Sequence, residues 1–279
     1  MTSHDVVAAV RRLVPRKIKV GHLGTLDPAA CGVLPVAVDL ATKLIPLAPD
    51  LGPGMKGYLG QVRFGLTTTT DDLEGEVLTR GTHDSITEEA IRRTLSAYRG
   101  TVMQVPPKVS ALRKDGVRAY ERARKGQEFE LPARPVQIER AELLGYRRQT
   151  ATARIYLVCG SGTYVRSLAR DVGAELGAGG CLSFLIRTHS GPFLLEETSS
   201  LEDLQRYGVE SKLLPCWFVF QSFPRVDSRE EVFQKGQRVT GNFPSQGTWF
   251  WSESALFRPT GETGEAVVEA LFERVRERE

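Results

Sequence analysis

A single acidic residue, Asp27, lies among glycines and small apolar residues in the segment GHLGTLDPAACGVLPVAV. Pro28 restricts Asp27 to extended conformations, so its carboxylate should leave a tight bend in a fixed direction. Gly21, Gly24 and Gly32 are predicted to let another stretch of backbone approach closely. An aspartate before proline is, on its own, typical of a turn residue that bonds its local backbone. The segment therefore predicts either an ordinary turn or one carboxylate held ready for chemistry.

The residues that usually accompany a catalytic carboxylate are missing from this sequence. No Ser–His–Asp order and no acid pair is visible, so acyl transfer and ordinary glycoside hydrolysis have little support. Cys31, Cys159, Cys181 and Cys216 lie far apart, with neither CxxC spacing nor histidines beside them. This spacing argues against a zinc site or a disulfide framework and favours four buried, small hydrophobic residues. We therefore expect no zinc site.

A second unusual residue is Arg166, which falls in the first turn of a predicted helix. The helix macrodipole disfavours a cation at that position by about 0.3–1 kcal/mol. An anion should offset this cost, either a phosphate or a protein carboxylate. The alternative is a solvated surface arginine, because dipole effects are small at exposed sites.

A third feature is the basic interval 105–126, which has a proline-rich start and contains only two acids, Asp115 and Glu121. Its start predicts a projecting loop, and its charge favours contact with nucleic acid over a merely solvated face. The basic residues of the interval are Lys108, Arg113, Lys114, Arg118, Arg122, Arg124 and Lys125.

The composition, 41% hydrophobic and 25% charged over 279 residues, is that of an ordinary globular protein. No apolar stretch reaches the roughly 18–20 residues of a membrane span, and the N-terminus lacks a secretory signal pattern. We therefore expect a cytoplasmic protein without membrane contact. The net charge is +3, but residues 225–279 carry 8 Lys+Arg against 10 Asp+Glu. The rest of the chain is thus biased mildly towards an anionic partner.

Helices and strands alternate irregularly, which predicts an α+β fold with a sizeable core. The helix over 85–98 begins like a capping box from Ser85 to Glu88. After residue 223 the sequence changes to short strand-like pieces with Gly, Pro and Ser turns, so we place domains at 1–222 and 223–279. Helices are predicted over 2–14, 85–98 and 163–176, and strands over 57–65 and 152–160.

Four motifs, in the same order as in a known family, extend across nearly all of residues 1–200. They are KVGHLGTLDPAACGVLPVAVDLATK, KGYLGQVRFGLTTTTDDLEGEV, PPKVSALRKDGVRAYERARKG and CGSGTYVRSLARDVGAELGAGG. Together they resemble the TruB-type tRNA pseudouridine synthases, which convert uridine-55 in the T-arm loop of tRNA. The resemblance implies a central mixed, largely antiparallel sheet flanked by helices and loops, with a small C-terminal PUA-like RNA-binding β domain.

The resemblance also implies a role for each matching residue. Asp27 corresponds to the essential aspartate, and Arg166 would pair with it. Tyr58 would stack on the flipped base and act on its proton, while His22 would help to hold the target uridine out of the loop. The remaining substrate-binding residues implied by the family are Asp72 and Tyr164 in the site, Leu185 as its apolar floor, and the clasp on the T-arm with Lys108, Arg113, Lys114, Arg118 and Arg122.

One carboxylate suffices for this reaction, in which uracil leaves its ribose, turns and rejoins through carbon, so the resemblance implies no metal and no cofactor. Asp27 either attacks the sugar or removes its 2′-hydrogen, and ion pairing would keep it ionised. Base flipping costs a few kcal/mol, which packing on Tyr58 and Leu185 could offset. The resemblance implies tRNA as the partner, with no obligate protein partner. An RNA-folding protein with an idle pocket and an RNA-guided catalytic subunit are the alternatives.

The sequence departs from the family pattern in a few places. Relatives carry a strand ending in a KPxG turn just before the segment matching MTSHD, and its absence here suggests a truncated or misassigned start. Asp39 replaces a usual glycine, and Thr69 stands where many relatives carry an acid. The match of 223–279 to a PUA domain is weak, and its −2 charge suits a structural appendage equally well.

Overall fold

The structure is a computed structural model. It describes residues 1–47, 55–110, 113–114, 117–118, 129–220, 225, 235–240, 250–252, 255–260, 262 and 265–271. Within these residues the chain forms four α-helices. The α-helices are α1 (Ser3–Leu13), α2 (Glu88–Ala97), α3 (Val165–Glu175) and α4 (Leu201–Tyr207). Short 3-10 helices cover Asp39–Leu47, Arg148–Thr150, Leu195–Glu197, Glu210–Lys212 and Cys216–Phe220. Within the described ranges, no helix is both long and apolar enough to cross a membrane.

The strands are mostly short, and the long ones lie in the middle of the chain. They are β1 (Val20–His22), β2 (Ala30–Gly32), β3 (Val36–Val38), β4 (Lys56–Phe64), β5 (Leu66–Thr68), β6 (Val77–Arg80), β7 (Gly100–Gln104), β8 (Arg113–Lys114), β9 (Val117–Arg118), β10 (Arg134–Arg147), β11 (Thr152–Cys159), β12 (Gly180–Ser190), β13 (Phe193–Leu194), β14 (Arg238–Thr240), β15 (Phe250–Trp251), β16 (Ala255–Pro259) and β17 (Glu265–Leu271).

The chain divides into two compact units that interleave in sequence. Unit 1 comprises Met1–Pro28, Val33–Gly54 and Ser190–Glu279, and unit 2 comprises Ala29–Gly32 and Met55–His189. These units do not follow the boundary predicted near residue 223, which itself falls outside the described residues. The assignment of domains to 1–222 and 223–279 therefore stays a prediction.

Unit 2 is built on a sheet in the order β12–β4–β11–β10–β7, with β2 added to β12. β4 pairs antiparallel with β11, β11 with β10 and β10 with β7, whereas β2 runs parallel to β12. The helices α2 and α3 complete one hydrophobic core with the strands, in which Ile91, Leu157 and Leu168 are fully buried. The predicted α+β architecture, with a mixed and largely antiparallel central sheet, is confirmed.

Two elements of unit 2 bury the residues that the periodicity of their sequences predicts. In β4 the side chains of Tyr58, Val62 and Phe64 are buried, as the alternating pattern of apolar residues predicts. In α3 the predicted apolar stripe, including Val165 and Leu168, is buried. The helix stops where glycine can adopt a left-handed conformation, since Gly177 has φ +72°.

Two predictions about local structure were wrong. Ser85 does not cap α2, because the amide of Ile86 donates to the carbonyl of His83 and places Ser85 in a turn. The helix instead begins after Thr87, whose hydroxyl accepts a hydrogen bond from the Ala90 amide at 3.1 Å. The four cysteines are also not all buried, since Cys31 is exposed and Cys216 only half-buried, while Cys159 and Cys181 are buried.

Unit 1 holds α1 against the pair formed by β1 and β3. Val7, Val10, Val20 and Val209 form its hydrophobic core. The start of α1 is fixed by a capping box, in which the Thr2 hydroxyl accepts from the Asp5 amide and the Asp5 carboxylate accepts from the Thr2 amide. Further along the chain, strands form a second sheet in the order β14–β17–β16–β15. The predicted strand content of this C-terminal stretch is confirmed, and its PUA-like character stays a prediction.

Candidate active site

Asp27 lies in the connection between β1 and β2 and is half-buried. The start of this connection is fixed by backbone pairing, because His22 pairs with Val36 and the Leu23 amide donates to the Pro35 carbonyl at 3.0 Å. The Nδ1 atom of His22 accepts a hydrogen bond from the Gly24 amide at 3.3 Å. His22 thus braces the turn that presents Asp27, and both residues belong to unit 1.

The glycines of this motif have different surroundings. A Cβ atom on Gly32 would lie 2.3 Å from the Arg187 carbonyl oxygen, so this glycine does allow a close approach of backbone, as predicted. A Cβ on Gly21 would instead meet the Ile45 side chain at 2.5 Å, so the prediction of backbone contact was wrong there. For Gly24 the prediction is untested. The approach at Gly32 seats β2 beside β12, where Ala30 is the register partner of Leu185.

Replacing Gly32 with alanine is expected to lower the free energy of unfolding by about 3 kcal/mol or more. The added methyl group would collide with the Arg187 backbone, and the φ of +104° would strain any L-residue. Gly177→Ala is a matched control, because Gly177 has φ +72° but no atom within 4 Å of its Cβ position. It should cost only about 1–2 kcal/mol. Equal losses in urea denaturation would contradict the close approach.

Tyr58 and Leu185 lie in the same hydrophobic cluster of unit 2, together with Val165 at the start of α3. Tyr58 is on β4 opposite Leu157, and Leu185 is on β12. The two residues are only 8% and 6% exposed. A planar aromatic ring and an aliphatic side chain thus share one apolar environment, which suits the packing of a flat base.

Two basic residues lie on the strands of this apolar cluster, the half-buried Lys56 and the buried Arg187. Lys56 starts β4 two residues before Tyr58, and burial lowers the pKa of its amine, with the positive charge of Arg187 lowering it further. Arg187, on β12 two residues after Leu185, is completely buried. The strands that carry Tyr58 and Leu185 therefore also carry these two basic side chains.

Arg166 is in the first turn of α3, as predicted, and is only 6% exposed, so the solvated-surface alternative is wrong. Its guanidinium donates to the carbonyls of Thr70 at 3.0 Å and Val109 at 3.2 Å. An Nη atom lies 3.5 Å from the Asp72 carboxylate. Asp72 is therefore one anion that offsets the unfavourable position of this cation on the helix.

The Asp72 carboxylate is itself held by its own loop. Its Oδ1 atom accepts from the Thr70 hydroxyl at 2.5 Å and from the Glu74 amide at 3.0 Å. The backbone of Asp72 bridges to Leu182, three residues before Leu185 on β12. The ion pair with Arg166 thus connects the sheet to α3 through a short loop with little freedom to move.

A second arginine, for which the sequence motifs implied no role, supports this loop. Arg170, one turn after Arg166 on α3, contacts the Asp71 carboxylate at 2.8 Å and donates to the Val105 carbonyl at 2.8 Å. Asp71 has a left-handed backbone with φ +61°. Burial raises the pKa of Asp71, and the charges of Arg170 and Arg166 oppose this effect. The spacing of four residues between the arginines was the available signal.

Tyr164 is fixed through its backbone by a residue that no motif indicated. The Gln104 side chain, which is 2% exposed, accepts from the Tyr164 amide at 2.8 Å and donates to its carbonyl at 3.1 Å. The Arg134 guanidinium lies over the Tyr164 ring, 5.2 Å from its centroid. Tyr164, the N-cap residue of α3, therefore has its backbone held by Gln104 and one face of its ring covered by Arg134.

The basic interval is described only in part. Lys108 is exposed, and the backbone pairs Arg113 with Arg118 and Lys114 with Val117, so the interval contains a short hairpin of β8 and β9. The side chains of this hairpin and all of Arg122, Arg124 and Lys125 lie outside the described residues. The base of the interval is anchored to α3, since the Val105 carbonyl accepts from Ser167 at 2.9 Å and from Arg170.

Within unit 2, the structure places Tyr58 and Leu185 in one hydrophobic cluster and pairs Asp72 with Arg166, which Tyr164 precedes by two residues. In unit 1, His22 ends β1 and Asp27 lies in the connection that follows it. The roles of these residues stay predictions.

Comparison with known proteins agrees with the motifs. A model of the TruB family pseudouridylate synthases (N terminal domain) matches residues 11–165. The tRNA pseudouridine synthase B of Trichormus variabilis is 39% identical over 98% of this chain and 95% of that protein. The protein of the same name from Streptomyces avermitilis is 46% identical over 85% of this chain and 80% of its own length.

A solved structure has the same fold. A chain in the crystal structure of a Cbf5–Nop10–Gar1 complex superimposes with a TM-score of 0.67, covering 98% of this chain and 82% of that chain at 23% identity. The pseudouridine synthase fold expected from the four motifs is confirmed. The chain belongs to the TruB family of pseudouridylate synthases.

Proposed function

We propose that this chain converts a uridine of tRNA, uridine-55 in the T-arm loop, to pseudouridine. The observation that carries the proposal is the 39% identity, over 98% of the chain, to a protein named tRNA pseudouridine synthase B. The proposed site residues are all present, with Asp27 in its motif and Arg166 buried at the start of α3.

In the proposed reaction the bond between C1′ and N1 of the uridine breaks and a bond between C1′ and C5 forms. Asp27 supplies the carboxylate, either as a nucleophile on the sugar or as a base for its 2′-hydrogen. The C5 proton is lost and N1 gains one, so no atom enters from water or from an oxidant. Tyr58 and Leu185 pack on the flipped base, and their apolar cluster keeps water from the detached uracil. His22 and Tyr164 complete the substrate contacts.

Arg166 serves as the fixed cation of the site in this proposal. Its three described acceptors, the carbonyls of Thr70 and Val109 and the Asp72 carboxylate, hold the guanidinium in one orientation. A guanidinium that is already oriented stabilises a carboxylate without reorganisation during the reaction. We therefore propose that Arg166 pairs with Asp27, as the family resemblance implies.

The experiment incubates the purified chain, without added cofactor, with an unmodified tRNA transcript. Carbodiimide modification and primer extension then map pseudouridine along the RNA. The expected product is pseudouridine at position 55 alone. Modification at another position would contradict the uridine-55 assignment, and its complete absence would contradict the proposed activity.

The same assay separates the alternatives. An RNA-folding protein with an idle pocket would bind the transcript and leave it unmodified. An RNA-guided subunit would modify it only when a guide RNA or partner proteins are added. Turnover by the chain alone would exclude both.

We also propose that the basic interval 105–126 clasps the T-arm, through Lys108, Arg113, Lys114, Arg118 and Arg122. The start of this interval is anchored to α3 by hydrogen bonds to the Val105 carbonyl. The clasp would thus be built on the helix that carries Arg166.

Replacing Arg113, Lys114 and Arg118 with glutamine should weaken RNA binding and flatten its salt dependence. Each lost phosphate contact on single-stranded RNA lowers the slope of log Kd against log salt by about 0.7, so three should lower it by roughly 2. The measurement is a salt titration by fluorescence anisotropy. The control neutralises three exposed arginines elsewhere, Arg12, Arg93 and Arg147. A slope that changes no more in the triple variant than in the control would show that the interval is a solvated surface and does not contact RNA.

A further inference from the structure

The side chain of Ser3, at the first position of α1, makes both of its described hydrogen bonds to the backbone of Leu26. Its hydroxyl accepts from the Leu26 amide at 2.8 Å and donates to the Leu26 carbonyl at 3.2 Å. Ser3 is only 6% exposed. A short, buried side chain thus holds both polar groups of the residue directly before Asp27.

These bonds are not part of the helix cap. The capping residue of α1 is Thr2, whose hydroxyl and amide pair with Asp5 on the exposed side of the helix. The Ser3 hydroxyl is therefore available for a contact 23 positions away in sequence. A serine within a helix usually bonds its own local backbone or solvent, so this arrangement calls for a different explanation.

The other end of α1 holds the same segment. The Arg11 guanidinium donates to the Val20 carbonyl at 3.0 Å, and Val7 and Val10 pack with Val20 in the core of unit 1. The helix therefore contacts this segment twice, at Val20 before the turn and at Leu26 directly before Asp27. The contact at Leu26 depends on the hydroxyl of Ser3.

We infer that Ser3 is a positioning residue for the reaction, which orients Asp27 by fixing the preceding peptide. The inference rests on the proposed function, because it takes Asp27 as the reacting carboxylate. Pro28 restricts the Asp27 backbone on one side, and on the other side the two hydrogen bonds with Ser3 fix the backbone of Leu26. The Asp27 backbone therefore has little freedom. Loss of the hydroxyl would release the Leu26 peptide and let the carboxylate drift from its reacting atom. A displacement of about 1 Å can cost about 100-fold in rate.

The test compares Ser3→Ala with Thr2→Ala. Both variants remove one hydroxyl from the start of α1, but only Ser3→Ala frees Leu26. Single-turnover rates are measured at saturating enzyme on a T-arm stem-loop RNA tritiated at C5 of the target uridine, because bond formation at C5 releases that label. Melting temperatures and RNA affinities are measured on the same samples.

Ser3→Ala should lower the single-turnover rate about 10–100-fold, with unchanged RNA affinity. Thr2→Ala should lower only the melting temperature, by roughly 2–4 °C. Ser3→Thr keeps the hydroxyl and should recover most of the rate, which a general loss of helix stability would not explain. A wild-type rate in Ser3→Ala, or equal rate losses in both alanine variants, would overturn the inference and leave the proposed function intact. An inactive wild-type chain would overturn both.

Discussion

Replacing Asp27 with asparagine is expected to lower the rate of pseudouridine formation by about 10⁴-fold, to background. One positioned acid–base or nucleophilic group supplies up to about this factor, and the isosteric amide can neither attack the sugar nor take its proton. RNA affinity should stay the same or rise slightly, because the change removes one negative charge from a site proposed to bind a polyanion. The rate is measured by tritium release and the affinity by anisotropy on one stem-loop RNA.

Asp39→Asn is the matched control, because Asp39 is a second acid of the same motif with no proposed role in the chemistry. It has a left-handed backbone with φ +53°, which asparagine adopts as readily as aspartate. The control should therefore retain full turnover. Turnover in Asp27→Asn comparable to that of Asp39→Asn would refute the assignment of the essential acid.

Replacing Arg166 with glutamine is expected to reduce both turnover and stability. Removing a preoriented charge from a site of this kind costs about 100-fold or more in rate. The change would also leave the Asp72 carboxylate, whose side chain is 12% exposed, without a cation 3.5 Å away. Breaking one partner of such a buried pair costs about 3–5 kcal/mol of unfolding free energy. RNA affinity should change less than the rate does.

A double variant separates the two effects. Arg166→Gln combined with Asp72→Asn removes both charges of the pair and should recover much of the lost stability. It should not recover turnover, because the cation proposed for Asp27 is still missing. If the rate returned together with the stability, Arg166 would be a structural residue only. A loss confined to RNA affinity would make it a phosphate contact.

The elements that follow from local periodicity could be predicted from the sequence. The alternation of apolar residues defines β4, and the apolar stripe with Gly177 defines α3 and its end. The position of Arg166 in the first turn was predictable for the same reason, as was its need for an anion. A dipole argument cannot say which anion is present. The resemblance implies Asp27 as that anion, whereas the ion pair with Asp72 is a finding of the structure.

The supports of the site could not be predicted, because they are single side chains that bond distant backbone. Gln104 holds Tyr164 from 60 positions away, and Ser3 holds Leu26 from 23 positions away. Such contacts leave no period and no spacing in the sequence. The start of α2 was missed for a related reason, since Ser85 and Thr87 are both acceptable caps and only the turn at Ile86 decides between them.

The central claim is that the carboxylate of Asp27 meets an extruded uridine. Its most direct test is a crystal structure of the Asp27→Asn variant bound to a T-arm stem-loop RNA. The account predicts the target uridine flipped out of the loop, its base between Tyr58 and Leu185, and its C1′ atom about 3–3.5 Å from the side chain of residue 27. A target base that stays stacked in the loop, or a residue 27 side chain that faces solvent away from the sugar, would contradict it.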